Sequence, residues 1–141
     1  MPERIKTIPL PKVEDPRGNL SFIEGGCHIP FSIRRVYTLY DIPGGEKSPG
    51  SACLRTDRIF IPLSGAMILK GTDGMGKEIV KKLDRCDRGV YVPAGVWVAL
   101  EEFTSGSLVA VVCSHPYEEE DVISDYARYK EMKRKGYAEG E

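Results

Sequence analysis

The hydrophobic and polar positions along this chain alternate over short distances and predict about ten short β-strands. Residues 31–40 (FSIRRVYTLY) are rich in β-branched and aromatic side chains, and alternate between two faces as a half-buried strand does. Residues 107–113 (SLVAVVC) form an almost continuous apolar run, which is typical of a fully buried strand. Turns rich in Gly and Pro separate these segments at the spacing of a β-sandwich or β-barrel. The pattern therefore predicts an all-β region over residues 1–115.

The central stretch of this region is residues 49–65 (PGSACLRTDRIFIPLSG). Its pattern predicts a strand, a short polar break, a second strand rich in apolar residues, and a Ser-Gly turn. Strands of the same rhythm precede and follow it. We therefore place this stretch near the middle of the predicted barrel.

The C-terminal part of the chain changes its period. Val122, Ile123, Tyr126 and Tyr129 recur three or four positions apart, which predicts one helix over residues 116–136 with an apolar stripe packed on the barrel. Acidic residues crowd the start of this segment and basic residues its end, as the helix dipole favours, and Gly136 suits a C-terminal stop. Residues 137–141 are predicted to be disordered, and residues 1–141 to form a single domain.

Composition and charge exclude several classes of partner. The chain of 141 residues is 41% hydrophobic and 29% charged, and its net charge is −1, so nothing in the charge balance favours nucleic acid or an anionic membrane surface. No apolar run approaches the roughly 18–20 residues of a membrane span, and the N-terminal residues lack the apolar middle of a signal peptide. The four cysteines show no close pairing and are expected to be reduced thiols. We therefore predict a cytoplasmic protein.

Several blocks of the sequence resemble one known family. Residues 50–65, followed by residues 89–98 (GVYVPAGVWV), resemble the two strand-turn blocks of a cupin. More specifically, four blocks are similar in order and spacing to the dTDP-4-keto-6-deoxyglucose 3,4-ketoisomerases, which are WxcM-like, RmlC-like cupins; they are residues 15–18 (DPRG), 30–37 (PFSIRRVY), 92–97 (VPAGVW) and 117–126 (YEEEDVISDY). This resemblance covers almost the whole chain. It implies an all-β cupin jelly roll, or double-stranded β-helix, with a C-terminal α-helix, and a homodimer.

The resemblance also implies a chemistry, for which the sequence lacks the usual residues. Members of that family bind a thymidine-diphosphate sugar and move a carbonyl between C4 and C3 through an enediol, which requires a base that histidine usually supplies. The family's His-x-His pair falls here on Ser51 and Cys53, and a further histidine position falls on Val98. Neither serine alone nor valine is a useful base, and a cysteine would have to ionise first. The resemblance therefore predicts a dTDP-sugar ligand, with an isomerase activity that is altered or lost.

The same three substitutions argue against the metal site that is common in cupins. Such a site takes its histidines from these positions, whereas the two histidines of this chain, His28 and His115, lie elsewhere. We therefore expect neither a metal nor another cofactor in the barrel.

Four residues are candidates for binding the substrate. Arg17 matches an arginine that some family members place near the sugar, although a solvated turn residue is an equal alternative. Arg35 shares a strand face with Tyr37, so it would need an anionic partner inside the barrel, either a diphosphate or a buried Asp or Glu. Tyr37 and Trp97 line the pocket in one interpretation and belong to the core in the other.

Three functional hypotheses follow. The first is a cupin that binds a nucleotide sugar, a dTDP-sugar, and is catalytically altered or without the family's isomerase activity. The second is a working sugar isomerase or epimerase with another base, such as Cys53 or a tyrosine. The third is a non-enzymatic cupin that binds another small molecule or a protein partner.

Overall fold

The computed structural model describes residues 5–135 of the chain. Within this range the chain forms twelve strands, one short 3₁₀ turn at Glu119–Asp121 and one α-helix. The elements are β1 (Lys6–Pro9), β2 (Lys12–Val13), β3 (Leu20–Ser21), β4 (Arg35–Leu39), β5 (Ala52–Cys53), β6 (Arg58–Ser64), β7 (Met67–Thr72), β8 (Glu78–Leu83), β9 (Arg88–Val92), β10 (Trp97–Glu101), β11 (Leu108–Cys113), β12 (Val122–Ile123) and α1 (Tyr126–Arg134). The predicted all-β fold with a C-terminal helix is confirmed.

Two larger antiparallel sheets enclose the main core. Five strands pair in the order β1-β9-β6-β11-β4 and three in the order β10-β7-β8, while β12 pairs with β5 and β2 with β3. Buried side chains of both large sheets form one apolar cluster, with Phe60, Val92 and Val111 from the first and Leu69 and Leu100 from the second. The sheets therefore face each other as the two halves of a barrel.

The alternation in the sequence directs the side chains of β4. Arg35, Tyr37 and Leu39 are half-buried, whereas Val36 between them is 56% exposed. Because successive side chains of a strand point to opposite faces, the odd-numbered side chains of β4 face the barrel interior and the even-numbered ones face out. Arg35 and Tyr37 are thereby brought to the interior on one strand.

The helix begins ten residues later than predicted. The sequence predicted a helix over residues 116–136, but Val122–Ile123 is a strand paired with β5, and α1 begins only at Tyr126. The reason is a contact that the local sequence does not show: the carboxylate of Asp121 accepts hydrogen bonds from the backbone N–H of Arg55 and the hydroxyl of Thr56. This contact holds the acidic segment, which forms the 3₁₀ turn at Glu119–Asp121, against the barrel and outside the helix. Asp125 then caps α1 by accepting a hydrogen bond from the Ala127 N–H at 3.0 Å. Gly136 and residues 137–141 lie outside the described residues.

Helix α1 packs on the barrel through Tyr129. This side chain is 2% exposed, and its hydroxyl donates to the Gly95 carbonyl oxygen at 2.6 Å. The rings of Trp97 and Tyr129 lie 5.6 Å apart. The only described helix is thus short and held by the barrel, and none among residues 5–135 is long and apolar enough to cross a membrane.

Candidate functional site

A cavity inside the barrel gathers several of the predicted site residues. Its first lobe has a volume of about 410 Å³. It is lined by residues of β4, β6 and β12, of β5 with the residue before it, and of the segment after β11, namely Arg35, Tyr37, Ser51, Cys53, Arg58, Tyr117 and Val122. A second lobe of about 270 Å³ shares Tyr37, Ser51, Arg58 and Val122 with the first, and is otherwise mostly apolar, with Leu39, Phe60, Val98 and Leu100 in its wall. The shared residues place the two lobes side by side in the barrel.

Ser51, Cys53 and Val98, to which the resemblance assigned the family's histidine positions, all border one or both lobes. Ser51 and Val98 form an isolated antiparallel bridge, with both backbone N···O distances 2.9 Å. Gly50 immediately before them has φ +85°, and a Cβ there would lie 2.9 Å from the Trp97 ring. A glycine is therefore required at the entrance to this segment.

Arg58 is the residue of the cavity that the sequence reasoning missed. It is only 3% exposed, and its guanidinium donates to Ser51 Oγ at 3.2 Å and to the Ser51 carbonyl oxygen at 3.4 Å. Its Nε atom is buried without a hydrogen-bond partner. Among the described residues, no acidic side chain forms an ion pair with it. The sequence could have indicated this position, because Arg58 shares a strand face with Phe60 in the otherwise apolar segment RIFIPLS.

Arg35 provides the second cation of the cavity. Its guanidinium carbon lies 5.6 Å from the centre of the Tyr37 ring and 5.5 Å from that of Tyr117, and Nη2 is 3.5 Å from Cys113 Sγ. Its Nε atom is also buried without a partner. The predicted alternative of a buried Asp or Glu partner is not found within residues 5–135. Two guanidinium groups therefore border one cavity without a neutralising carboxylate.

The titratable groups of the cavity are unsuited to act as bases at neutral pH. Burial raises the pKa of the Cys53 thiol, and the nearby Arg58 charge only partly opposes this. Burial likewise raises the pKa of the Tyr37 phenol, against a smaller opposing effect of Arg58. Both groups are therefore protonated at pH 7. The described lining residues include no His, Asp, Glu or Lys.

The structure places the other two predicted ligand residues outside the cavity. The Arg17 side chain is 90% exposed and pairs with Asp15 at 3.0 Å in the turn between β2 and β3. Trp97 is 7% exposed and packs in a separate cluster with Ala52, Ile123 and Tyr129, because its side chain lies on the face of β10 that α1 covers. These environments match the solvated-turn alternative for Arg17 and the core alternative for Trp97.

The described residues also include one surface group with metal-ligand chemistry. One ligand atom each of Glu24, Cys27 and His28 lies within 4.8 Å of the others. However, the Nδ1 atom of His28 already accepts the Glu24 backbone N–H at 2.9 Å. This group does not border the barrel cavity.

An antiparallel barrel of two sheets with a ligand-sized cavity is the architecture of cupins, in agreement with the predicted fold. The chain matches the family model described as "FdtA: WxcM-like, C-terminal" over residues 3–134, and it belongs to that family. The predicted resemblance is therefore confirmed.

Individual relatives show the same similarity. The chain is 35% identical over 126 residues to the TDP-4-oxo-6-deoxy-α-D-glucose-3,4-oxoisomerase of Aneurinibacillus thermoaerophilus, a match that covers 89% of each chain. A mutant of the 3,4-ketoisomerase QdtA from Thermoanaerobacterium thermosaccharolyticum, in complex with TDP-4-keto-6-deoxyglucose, superposes with a TM-score of 0.90 at 27% identity, over 99% of this chain and 100% of that one. The WlaRB TDP-quinovose 3,4-ketoisomerase of Campylobacter jejuni gives a TM-score of 0.84 at 26% identity, over 92% of this chain and 98% of that one. The chain is thus homologous to sugar-nucleotide 3,4-ketoisomerases.

Proposed function

We propose that this protein binds a thymidine-diphosphate sugar in the barrel cavity and does not catalyse the 3,4-ketoisomerisation of its relatives. The observation that carries this proposal is a cavity bordered by two guanidinium groups that no described carboxylate neutralises, with no His, Asp, Glu or Lys in its described lining. The first feature favours an anionic ligand, and the second argues against proton transfer. Homology to proteins that act on TDP-sugars supports the nucleotide-sugar part.

Arg35 is suited to hold the diphosphate. It is half-buried beside Tyr117, which is 66% exposed, so it lies on the solvent side of the cavity, where a strongly hydrated dianion loses least hydration. A guanidinium presents several N–H groups to phosphoryl oxygens in a fixed plane. The rings of Tyr37 and Tyr117 flank this guanidinium and limit its movement.

The loss of isomerase activity follows from the protonation states. Moving a carbonyl from C4 to C3 requires removal of a proton next to the ketone, and a positioned base contributes roughly 10²–10⁴-fold to such a rate. At pH 7 the Cys53 thiol and the Tyr37 phenol are protonated because burial raises their pKa values. The Ser51 hydroxyl contacts a cation, Arg58, instead of a base.

Binding is tested by thermal unfolding with dTDP and dTDP-glucose. A ligand that binds only the folded state at 100 times its Kd stabilises by about 2.7 kcal/mol, which corresponds to a rise in Tm of roughly 8 °C for a chain of this size. Thymidine, which lacks the diphosphate, should give a much smaller shift. The variant Arg35→Gln should lose most of the dTDP shift, whereas Arg34→Gln, which changes the exposed residue immediately before β4, should keep it. No shift with dTDP at millimolar concentration would refute the proposal.

Catalysis is tested by deuterium incorporation. Wild-type protein incubated with dTDP-4-keto-6-deoxyglucose in D₂O should leave deuterium at the sugar carbons at the level of a protein-free control. Incorporation above that level, abolished in Cys53→Ala, would support an active isomerase with another base. If dTDP is not bound, native mass spectrometry of the purified protein would reveal another ligand or a protein partner.

We also propose a cytoplasmic homodimer. The dimer is supported by the edge strand β4, which has an exposed Val36 at its outer face and an exposed Tyr40 immediately after it. The cytoplasmic location is supported by the four cysteines, which are all free, as in a reducing compartment. Light scattering should give twice the chain mass of 15.7 kDa. A mass of one chain at micromolar concentration would contradict the dimer.

A further inference from the structure

A groove of about 570 Å³ lies between helix α1 and the turn that joins β7 to β8, and it shares no lining residue with the two lobes of the barrel cavity. One wall is a single stripe of α1 from Tyr126 to Arg134, and the other is formed by Gly74 and Met75 of the turn. Gly74 has φ +77°, and a Cβ there would lie 3.0 Å from the Tyr129 ring. Because Gly74 has no side chain, the turn and the helix meet at the floor of the groove.

The end of the groove at the start of α1 is apolar. The side chains of Met75 and Tyr126 are 64% and 41% exposed, and Ala127 continues this surface along the helix. The Tyr126 ring is held in place by an edge contact with the Trp97 ring, whose centre is 5.0 Å away. Exposed large apolar side chains that adjoin one another favour contact with an apolar group, because both are then removed from water. This end of the groove therefore favours an apolar or aromatic side chain.

The other end of the groove is cationic. Nζ of Lys130 lies 5.8 Å from the centre of the Tyr126 ring, and within residues 5–135 no carboxylate forms an ion pair with it. Arg134, in contrast, pairs with Glu131 of the same stripe. Helix α1 has four basic residues and one acidic residue, a net charge of +3 in a chain whose net charge is −1. The group that complements this end is therefore negatively charged.

The shape of the groove favours an extended polypeptide over a compact molecule or a lipid surface. The stripe from Tyr126 to Arg134 is about 12 Å long, which three or four residues of an extended chain match at about 3.3 Å each. Both walls are open to solvent at Met75 and Tyr126, so a compact ligand would remain largely exposed. The apolar face of α1 already packs on the barrel through Tyr129, which leaves the helix no apolar face to insert into a lipid surface.

We propose that this groove binds an acidic segment of a partner protein. The segment lies extended along α1, with an apolar or aromatic side chain against Met75 and Tyr126 and a carboxylate beside Lys130. Lys130 is one helical turn from Tyr126, so the carboxylate belongs about two residues after the apolar side chain, where an extended chain directs both to the same side. This interaction surface is separate from the barrel cavity and goes beyond the proposed binding of a dTDP-sugar.

The test is an amide NMR titration of the ¹⁵N-labelled full-length protein with the acetylated and amidated peptide Phe-Ala-Glu-Ala-Glu. The peptide Phe-Ala-Gln-Ala-Gln should bind about 5-fold more weakly, because it has no carboxylate for Lys130. The peptide Ala-Ala-Glu-Ala-Glu should bind about 10-fold more weakly, because no ring then covers the apolar end. Lys130→Gln should remove the difference between the Glu and Gln peptides. Arg128→Gln, the same charge change on the same helix but outside the groove, should keep it.

Several results would overturn this inference. One is the absence of shifts at the amides of Met75, Tyr126 and Lys130 with millimolar peptide, and another is equal affinity for the Glu and Gln peptides. Binding that appears only in a chain ending at Lys135 would assign the groove to the chain's own last residues. A lower mass of Met75→Gln than of the wild type in light scattering would assign it to a second copy of the chain. None of these results affects the proposed dTDP-sugar site, because Lys130→Gln should keep the full dTDP shift in Tm.

Discussion

Replacing Arg58 by methionine tests whether this buried charge lacks a partner in the ligand-free protein. Methionine keeps an unbranched apolar stem near Phe60 but is shorter than arginine, and it removes the whole guanidinium with its charge and the unpartnered Nε. The Ser51 carbonyl oxygen keeps its 2.9 Å hydrogen bond from the Val98 N–H, so the substitution does not leave that acceptor without a partner.

The expected change is a gain in stability. The two hydrogen bonds lost from Ser51 are long, at 3.2 and 3.4 Å, and the contact of a cation with an aromatic ring adds about 1 kcal/mol. Against this loss, replacing buried ionic groups by apolar side chains of similar size commonly stabilises by about 1–4 kcal/mol. We therefore expect the free energy of unfolding of Arg58→Met to rise by about 1–2 kcal/mol, and Tm to rise by roughly 3–6 °C.

Urea denaturation followed by circular dichroism measures this change. The midpoint should move to higher urea at an unchanged slope, which indicates a change in stability rather than in the unfolded state. Arg34→Met is the matched control, because Arg34 is exposed, and it should stay within about 0.5 kcal/mol of the wild type. A loss of 1 kcal/mol or more in Arg58→Met would show that Arg58 is a structural residue with adequate partners, and would refute the reasoning that assigns it to a ligand.

Three further predictions concern the helix, the thiols and the surface charges. Tyr129→Phe should lower the free energy of unfolding by about 1–2 kcal/mol in urea denaturation, because the Gly95 carbonyl oxygen loses its buried donor. At pH 7.5 a thiol reagent should modify exposed Cys27 in the native protein and leave Cys53 unmodified, since burial both shields this thiol and raises its pKa. Arg85 and Lys12 hold the pKa of the Asp87 carboxyl well below its usual range, so the ionised carboxylate stabilises the folded state. This stabilisation is present above about pH 4 and is lost as the pH falls further. Asp87→Asn should therefore lose less stability than the wild type between pH 5 and pH 2 in urea denaturation.

Each of these predictions has a result that would contradict it. Tyr126→Phe is the control for the helix, because Tyr126 is 41% exposed, and equal effects of the two substitutions would argue against a special role of the Tyr129 hydroxyl. Modification of Cys53 as fast as that of Cys27 would indicate an accessible thiolate and revive Cys53 as a candidate base. Parallel pH profiles of Asp87→Asn and the wild type would show that the Asp87 charge contributes nothing to stability.

Much of the fold could be predicted because strand patterns are local. The alternation in residues 31–40 correctly assigned Arg35 and Tyr37 to one face, and the apolar run before Ser114 correctly predicted a buried strand, in which Val111 has no exposed surface. The start of the helix could not be predicted in this way. It depends on Asp121 bonding to Thr56, a residue 65 positions earlier in the chain.

For the site, the sequence by itself determined which chemistry is missing, and the tertiary structure decided which chemistry is present. A chain with histidines only at His28 and His115 cannot supply the family's base at Ser51 and Cys53, whatever its fold. Whether Arg58 lies beside a carboxylate or faces an open cavity depends on strands that are distant in sequence. Charge neutralisation inside a protein is set by distances of a few ångströms between such strands, and one-dimensional periodicity contains no information about them.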